Sequence, residues 1–157
     1  MGGVETTRWL APDEQRVWRA FLEATRLLFD ALDRQLQHDA GMPHAYYEIL
    51  VRLSESPTRS LRMTDLAEAS LSSRSRLSHA VARLEEAGWV RRESCPSDRR
   101  GAFAVLTDEG YAVLAAAAPG HVEAVRTHLF DPLTDRQVRQ LGDISAAVLA
   151  HFRAPAP

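Results

Sequence analysis

Leu71-Ser72-Ser73-Arg74-Ser75-Arg76-Leu77-Ser78-His79-Ala80-Val81-Ala82-Arg83-Leu84-Glu85-Glu86-Ala87-Gly88-Trp89-Val90-Arg91-Arg92 is the stretch on which the fold turns. Leu77, Ala80, Val81 and Leu84 recur at spacings of three and four, which predicts one apolar face of a helix from Arg74 to Ala87. Leu71-Ser72-Ser73 reads as a turn plus cap, and Gly88 as the stop. Just upstream, Thr64 is a good N-cap for a brief helix over Asp65-Leu66-Ala67-Glu68-Ala69, with acids favourably placed in its first turn. A short helix, a tight turn and a longer helix make the helix-turn-helix pattern. Downstream, Trp89–Glu93 and Ala102–Leu106 read as strands joined by a polar loop, Cys95–Gly101, so a candidate wing follows the second helix.

Long helices flank this unit. From Pro12 to about His38, Val17, Phe21, Ala24, Leu28, Ala31, Leu32 and Leu36 keep a helical period, which Gly41 and Pro43 end. A second helix is expected with Pro43 in its first turn, carrying Tyr46, Tyr47, Ile49, Leu50 and Leu53 as far as Pro57. Thr107 caps a later helix whose apolar run is expected to kink or break at Pro119-Gly120 before Val122, Val125 and Leu129. Thr134-Asp135-Arg136-Gln137 is a capping box ahead of Val138, Leu141, Ile144, Val148 and Phe152, and Ala154–Pro157 reads as a frayed end.

Composition narrows the classes. The 157 residues suffice for one ordinary domain without staples, and 45% hydrophobic with 25% charged residues is a globular profile. There is neither a leader-like start nor an uninterrupted apolar run of the roughly 18 residues a membrane span needs, so a cytoplasmic location with no membrane partner is expected. The lone Cys95 has no disulfide partner and no companion zinc ligands. The net charge of −2 hides a division: Arg59 to Arg100 holds nine arginines against six acids, the remainder ten against fifteen. All nineteen basic residues are arginine, which suits bidentate contacts to phosphate and guanine and equally fits a coding bias.

The 71–92 run closely resembles the recognition helix and first wing strand of the multiple-antibiotic-resistance regulator (MarR) family. Ser97-Asp98-Arg99-Arg100 with Ala104-Val105-Leu106-Thr107-Asp108-Glu109-Gly110 resembles that family's wing and the start of its fifth helix. The resemblance implies a mainly α fold: a winged helix-turn-helix lobe with a two-stranded wing over 43–110, and long dimerisation helices over 1–42 and 111–157. It also implies a transcriptional regulator, more often a repressor than an activator, that binds palindromic double-stranded DNA as a homodimer. The competing class is a winged-helix module that binds protein, which an acidic face in place of Arg74, Arg76, Arg99 and Arg100 would have favoured.

In a major groove, Ser72 and Ser73 at the amino end of the helix, with Arg74, Ser75, Arg76, Ser78 and His79, meet base edges first. Arg74 and Arg76 are two apart and point different ways, so one is expected to read bases and the other to hold a phosphate. Arg83 either reaches DNA or pairs with Glu86 or Asp98. By the resemblance, Asp98 braces the wing while Arg100, or equally Arg99, enters a narrow minor groove. Val17, Phe21, Leu28, Leu129, Phe130, Leu141, Val148 and Phe152 are either a shared dimer interface or private core. A two-fold axis would set the recognition helices roughly 34–36 Å apart.

Family members commonly bind small aromatic or phenolic ligands between the dimer helices and the DNA lobe. By placement, Trp18, Arg19, Phe21, His44, Tyr46, Tyr47 and Arg62 are the candidates, with ordinary core filling as the alternative. Neither His121 with His128 nor His38 with Asp39 and His44 matches a strong metal motif, so no metal or cofactor is expected. The peroxide-sensing branch of the family carries its cysteine near the first helix, where this chain has none, which leaves Cys95 only some other redox role. Gly-x-Ser-x-Gly, a phosphate loop, a dinucleotide fingerprint and His-Glu-x-x-His are all absent, so no enzyme is expected.

Overall fold

A computed structural model describes residues 7–70, 73–95 and 98–154, with the backbone alone for 98–100. The elements run α1 (Pro12–Ala40), α2 (His44–Glu55), β1 (Ser60–Arg62), α3 (Met63–Ala69), α4 (Arg74–Glu86), β2 (Val90–Cys95), β3 (Asp98–Leu106), α5 (Asp108–Val125), a π-helical turn (Arg126–Phe130) and α6 (Asp135–Arg153). The expected turn at Leu71-Ser72, the loop residues Pro96-Ser97 and the end over 155–157 lie outside the described residues.

Local chemistry explains most of the boundaries. Gly41 takes the left-handed conformation (φ 63°) that closes α1, and its N–H returns to the Gln37 carbonyl at 3.2 Å. Pro43, expected inside α2, stands just before it with extended backbone, and the Asp33 carboxylate of α1 accepts the His44 N–H at 2.8 Å. Ser73 caps α4 by accepting the Arg76 N–H at 3.2 Å, and Gly88 ends that segment at φ 79°. Thr107 and Thr134 cap α5 and α6 as expected, the latter in a capping box with Gln137.

Three further expectations are corrected. Helix α3 starts at Met63, one residue before the expected cap, because the short strand β1 pairs Arg62 with Phe103 and delivers an extended backbone straight into the first turn; Thr64 lies inside the helix. The polar Cys95–Gly101 segment is mostly strand: β2 and β3 pair from Val90↔Leu106 to Ser94↔Ala102, after which an irregularity shifts the register by three residues to Cys95↔Asp98. Helix α5 continues through Pro119, held by Leu114, Ala117 and Ala124 against the rest of the fold, and the irregularity falls later, in the π-helical turn. The sheet therefore has three antiparallel strands in the order β1-β3-β2, of which β2 and β3 form the wing.

One apolar cluster ties the elements together. It runs from Leu36 of α1 through Leu50 and Leu53 of α2, Leu66 of α3, Leu77, Val81 and Leu84 of α4 and Leu106 of β3 to Leu114 of α5. Helix α6 buries none of its residues, and the first half of α1 is as bare, with Val17 69% and Phe21 58% exposed. No helix among the described residues is long and apolar enough to cross a membrane.

Candidate nucleic-acid interface

Leu77, Val81 and Leu84 anchor α4 in the core, which turns its amino-terminal residues outward. Ser73, Arg74, Ser75, Arg76 and His79 are exposed; Ser78 is half-buried. Arg74 lines a cavity of about 320 Å³ on the wing side, with Arg62, Met63, Thr64, Ser78, Arg92, Gly101 and Ala102. Arg76 lies in the groove on the other flank, toward α2, with Ser75, His79, Tyr46 and Glu48. The two arginines thus diverge across the helix as their spacing requires.

The arginines of this lobe sort by their partners. Arg59 meets Asp108 at 3.3 Å and stacks on Tyr111, Arg83 meets Glu86 at 2.8 Å, Arg91 meets Glu93 at 2.8 Å and Arg92 meets Glu85 at 3.2 Å. Glu86 is thus the acid that engages Arg83, and its carboxylate holds the Arg83 guanidinium above its ordinary pKa. Arg74 and Arg76 form no ion pair among the described residues. Their charge stays available on the outward face, as does that of Arg62, which meets the Cys95 sulfur and the Phe103 ring but no acid among the described residues, while the charge of Arg59, Arg83, Arg91 and Arg92 is locally balanced.

Residues 40–101 match the model of the MarR family. Sco3205 of Streptomyces coelicolor, a MarR family transcriptional regulator solved in complex with DNA, is 61% identical, with 96% of this chain and 94% of that one superposing at a TM-score of 0.90. This chain belongs to the MarR family of transcriptional regulators. AbsC of Streptomyces coelicolor, another MarR regulator, is 47% identical over 94% of this chain and 99% of its own, at a TM-score of 0.86. The transcriptional regulator HosA of Escherichia coli O111:H- is 35% identical over 95 residues, covering 60% of this chain and 69% of HosA.

Of the interface candidates of this MarR-type lobe, Ser73, Arg74, Ser75, Arg76 and His79 are exposed at the amino-terminal end of α4, Arg74 on its wing flank and Ser75, Arg76 and His79 toward α2. Ser78 turns toward the wing, where its carbonyl and hydroxyl oxygens accept from Arg92 at 2.7 and 3.4 Å. Ser72 lies outside the described residues, and of Asp98, Arg99 and Arg100 only the backbone, on β3, is described. The ligand candidates are dispersed. Trp18 and Phe21 stack at 6.4 Å on the bare part of α1, beside exposed Arg19. Tyr46 lines the α2–α4 groove, and Arg62 lies in the wing-side cavity, donating to the Cys95 sulfur at 3.3 Å.

His44 and Tyr47 sit at the α2–α5 junction around a 230 Å³ cavity shared with His121, a residue whose spacing alone gave no sign of this company. The His121 ring lies 4.4 Å from that of Tyr47 and 5.5 Å from that of His44, and its Nδ1 is buried without a hydrogen-bond partner among the described residues. Burial first, then the neighbouring His44, lowers the His121 pKa; burial alone raises that of Tyr47. The Arg92–Glu85–Ser78 contacts were likewise invisible in the sequence, because they join residues of α4 and β2 that only the packing of wing on helix brings together.

Proposed function

We propose that this MarR-type protein acts in the cytoplasm as a homodimer on a palindromic double-stranded DNA operator, represses transcription there, and is released by a small aromatic or phenolic ligand. The observation that carries this reading is the pair Arg74 and Arg76, free of acidic partners among the described residues on the outward end of a capped, core-anchored helix. In a major groove, one arginine donates two bonds to a guanine edge and the other holds a phosphate, with Ser75 and His79 beside them. Asp98 and Arg100 (or Arg99) serve at the wing tip, the acid bracing and the arginine following the minor groove.

Residues 43–110 then form the DNA lobe, and 1–42 with 111–157 the dimerisation region. The apolar stripe of α6, with Ile144 62%, Val148 51% and Phe152 78% exposed, supports a two-fold partner, as does the bare half of α1. A ligand seated where the long helices meet the lobe, as at His44 and Tyr47, favours one spacing of the two recognition helices. By linkage, if that spacing misfits DNA, affinity falls.

The test is a fluorescence-anisotropy titration against the duplex upstream of the protein's own gene, with an unrelated duplex as control, at two salt concentrations. Selective binding by the wild type that an Arg74→Ala, Arg76→Ala, Arg100→Ala variant lacks is the expected result. Equal affinity for both duplexes, unchanged in the variant, contradicts the reading.

A further inference from the structure

Resting on the DNA-binding reading above, we infer that Arg92 is a positioning residue: with Glu85 and Ser78 it forms a clasp that fixes the angle between the wing and the recognition helix. Ser78 and Glu85 are seven positions apart, two turns of α4, and therefore stand on one face of that helix about 10 Å apart along its axis. Arg92, three residues into the wing's first strand, spans both. Its guanidinium reaches the Glu85 carboxylate at 3.2 Å and donates to the Ser78 carbonyl at 2.7 Å, while its backbone N–H donates to Glu85 at 2.9 Å. The strand's main chain and side chain are thus both tied to the helix, which a lone surface ion pair does not do. Both side chains are about two-thirds buried, so solvent screens the pair less than the more exposed pairs Arg83–Glu86 and Arg91–Glu93.

The clasp has two consequences for DNA. A helix in the major groove and a wing in the minor groove can engage one duplex together only if their relative position is held to about 1 Å, and the clasp sits at the root of that lever. It also withdraws Arg92 from phosphate contact and neutralises it beside Arg62 and Arg74, which line the same cavity. Ser78, which the sequence places among the base readers, belongs to the clasp.

Glu85 makes the test one of sign. If Arg92 were an ordinary phosphate contact, removing the neighbouring acid would release its charge and tighten binding to any duplex. If the clasp positions the wing, removing the acid weakens operator binding. Wild type, Glu85→Ala, Arg92→Ala, the double variant and the milder Glu85→Gln are titrated against operator and unrelated duplexes, with thermal unfolding to confirm that each is folded. The clasp predicts that Glu85→Ala and Arg92→Ala each weaken operator binding about tenfold, with the ratio of operator to unrelated affinity falling in step. It predicts that the double variant is no worse than either single one, as for residues acting as a unit. Glu85→Gln, which keeps an acceptor for the Arg92 N–H, loses about threefold and carries the test if the alanine variants do not fold. Tighter binding by Glu85→Ala or Glu85→Gln, beside a selective wild type, overturns the clasp and leaves the proposed function standing. A wild type with no preference for the operator overturns both.

Discussion

Gly110 is the position where the structure sets the size of an effect most directly. It lies in the first turn of α5, its N–H donating to the Thr107 cap at 2.9 Å, and the backbone of Trp89 at the wing root passes against it. An ideal Cβ there would stand 2.1 Å from the Trp89 carbonyl oxygen, 2.8 Å from its carbon and 2.9 Å from Leu106 Cδ1. To reach ordinary contact, helix and wing root must part by roughly 1 Å, and two of the three obstructing atoms are backbone. Overpacking of this kind costs about 1–3 kcal/mol, here toward the upper end because no side-chain rotation relieves it. The helix preference of alanine over glycine returns about 1 kcal/mol. The net loss for Gly110→Ala is therefore about 2 kcal/mol, a fall in Tm of about 4–8 °C for a chain of this size. Thermal unfolding followed by circular dichroism, at matched protein concentration so that any dimer contributes equally, measures it. An unchanged or raised Tm refutes the reasoning, since helix propensity would then outweigh an approach that is not as tight as described.

The remaining predictions concern charge, assembly and pH. Of Arg74→Ala and Arg76→Ala, one relaxes base preference at a single operator position by about 1–3 kcal/mol, and the other weakens all duplexes alike and lowers the salt slope by about one; competition titrations over several salt concentrations separate them. Val148→Glu puts a charge twice into the two-fold interface proposed through α6 and raises the dimer dissociation constant about a hundredfold, which sedimentation equilibrium measures; an unshifted dimer contradicts the proposed interface. His121 is held below its ordinary pKa of 6.5 by burial and by His44, so the fold favours its neutral form and the unfolded chain takes up the proton first. Stability from this group is full above the unfolded value and falls as pH drops from there toward the folded pKa. Urea unfolding at pH 7.5 and pH 5.5 should show a smaller acid loss for His121→Phe than for the wild type, and equal losses count against the effect.

The helices were legible where local chemistry governs them. The period of α1 ends at Gly41 because the chain needs a left-handed residue there, and Ser73, Thr107 and Thr134 hold their caps because each hydroxyl has an N–H three residues on. What escaped the reading depends on distant partners. Strand β1 is three half-buried residues whose ladder lies on β3, some forty positions away, and the wing strands extend into a polar segment because cross-strand pairing outweighs its turn-like composition. The divergence of Arg74 and Arg76 followed from two residues' rotation about a helix. Nothing near Ser78 in sequence announces its contact with Arg92, and the His44–Tyr47–His121 group arises only where α2 crosses α5.

The most direct measurement is selection of bound duplexes from a randomised pool by the wild type and by the Arg74→Ala, Arg76→Ala variant. A two-fold reader carrying α4 predicts an inverted repeat with half-site centres about one helical turn apart, about 10–10.5 base pairs, and loss or blurring of the half-site consensus in the variant. No enriched sequence, or an enriched site without two-fold symmetry that the variant selects equally well, contradicts it.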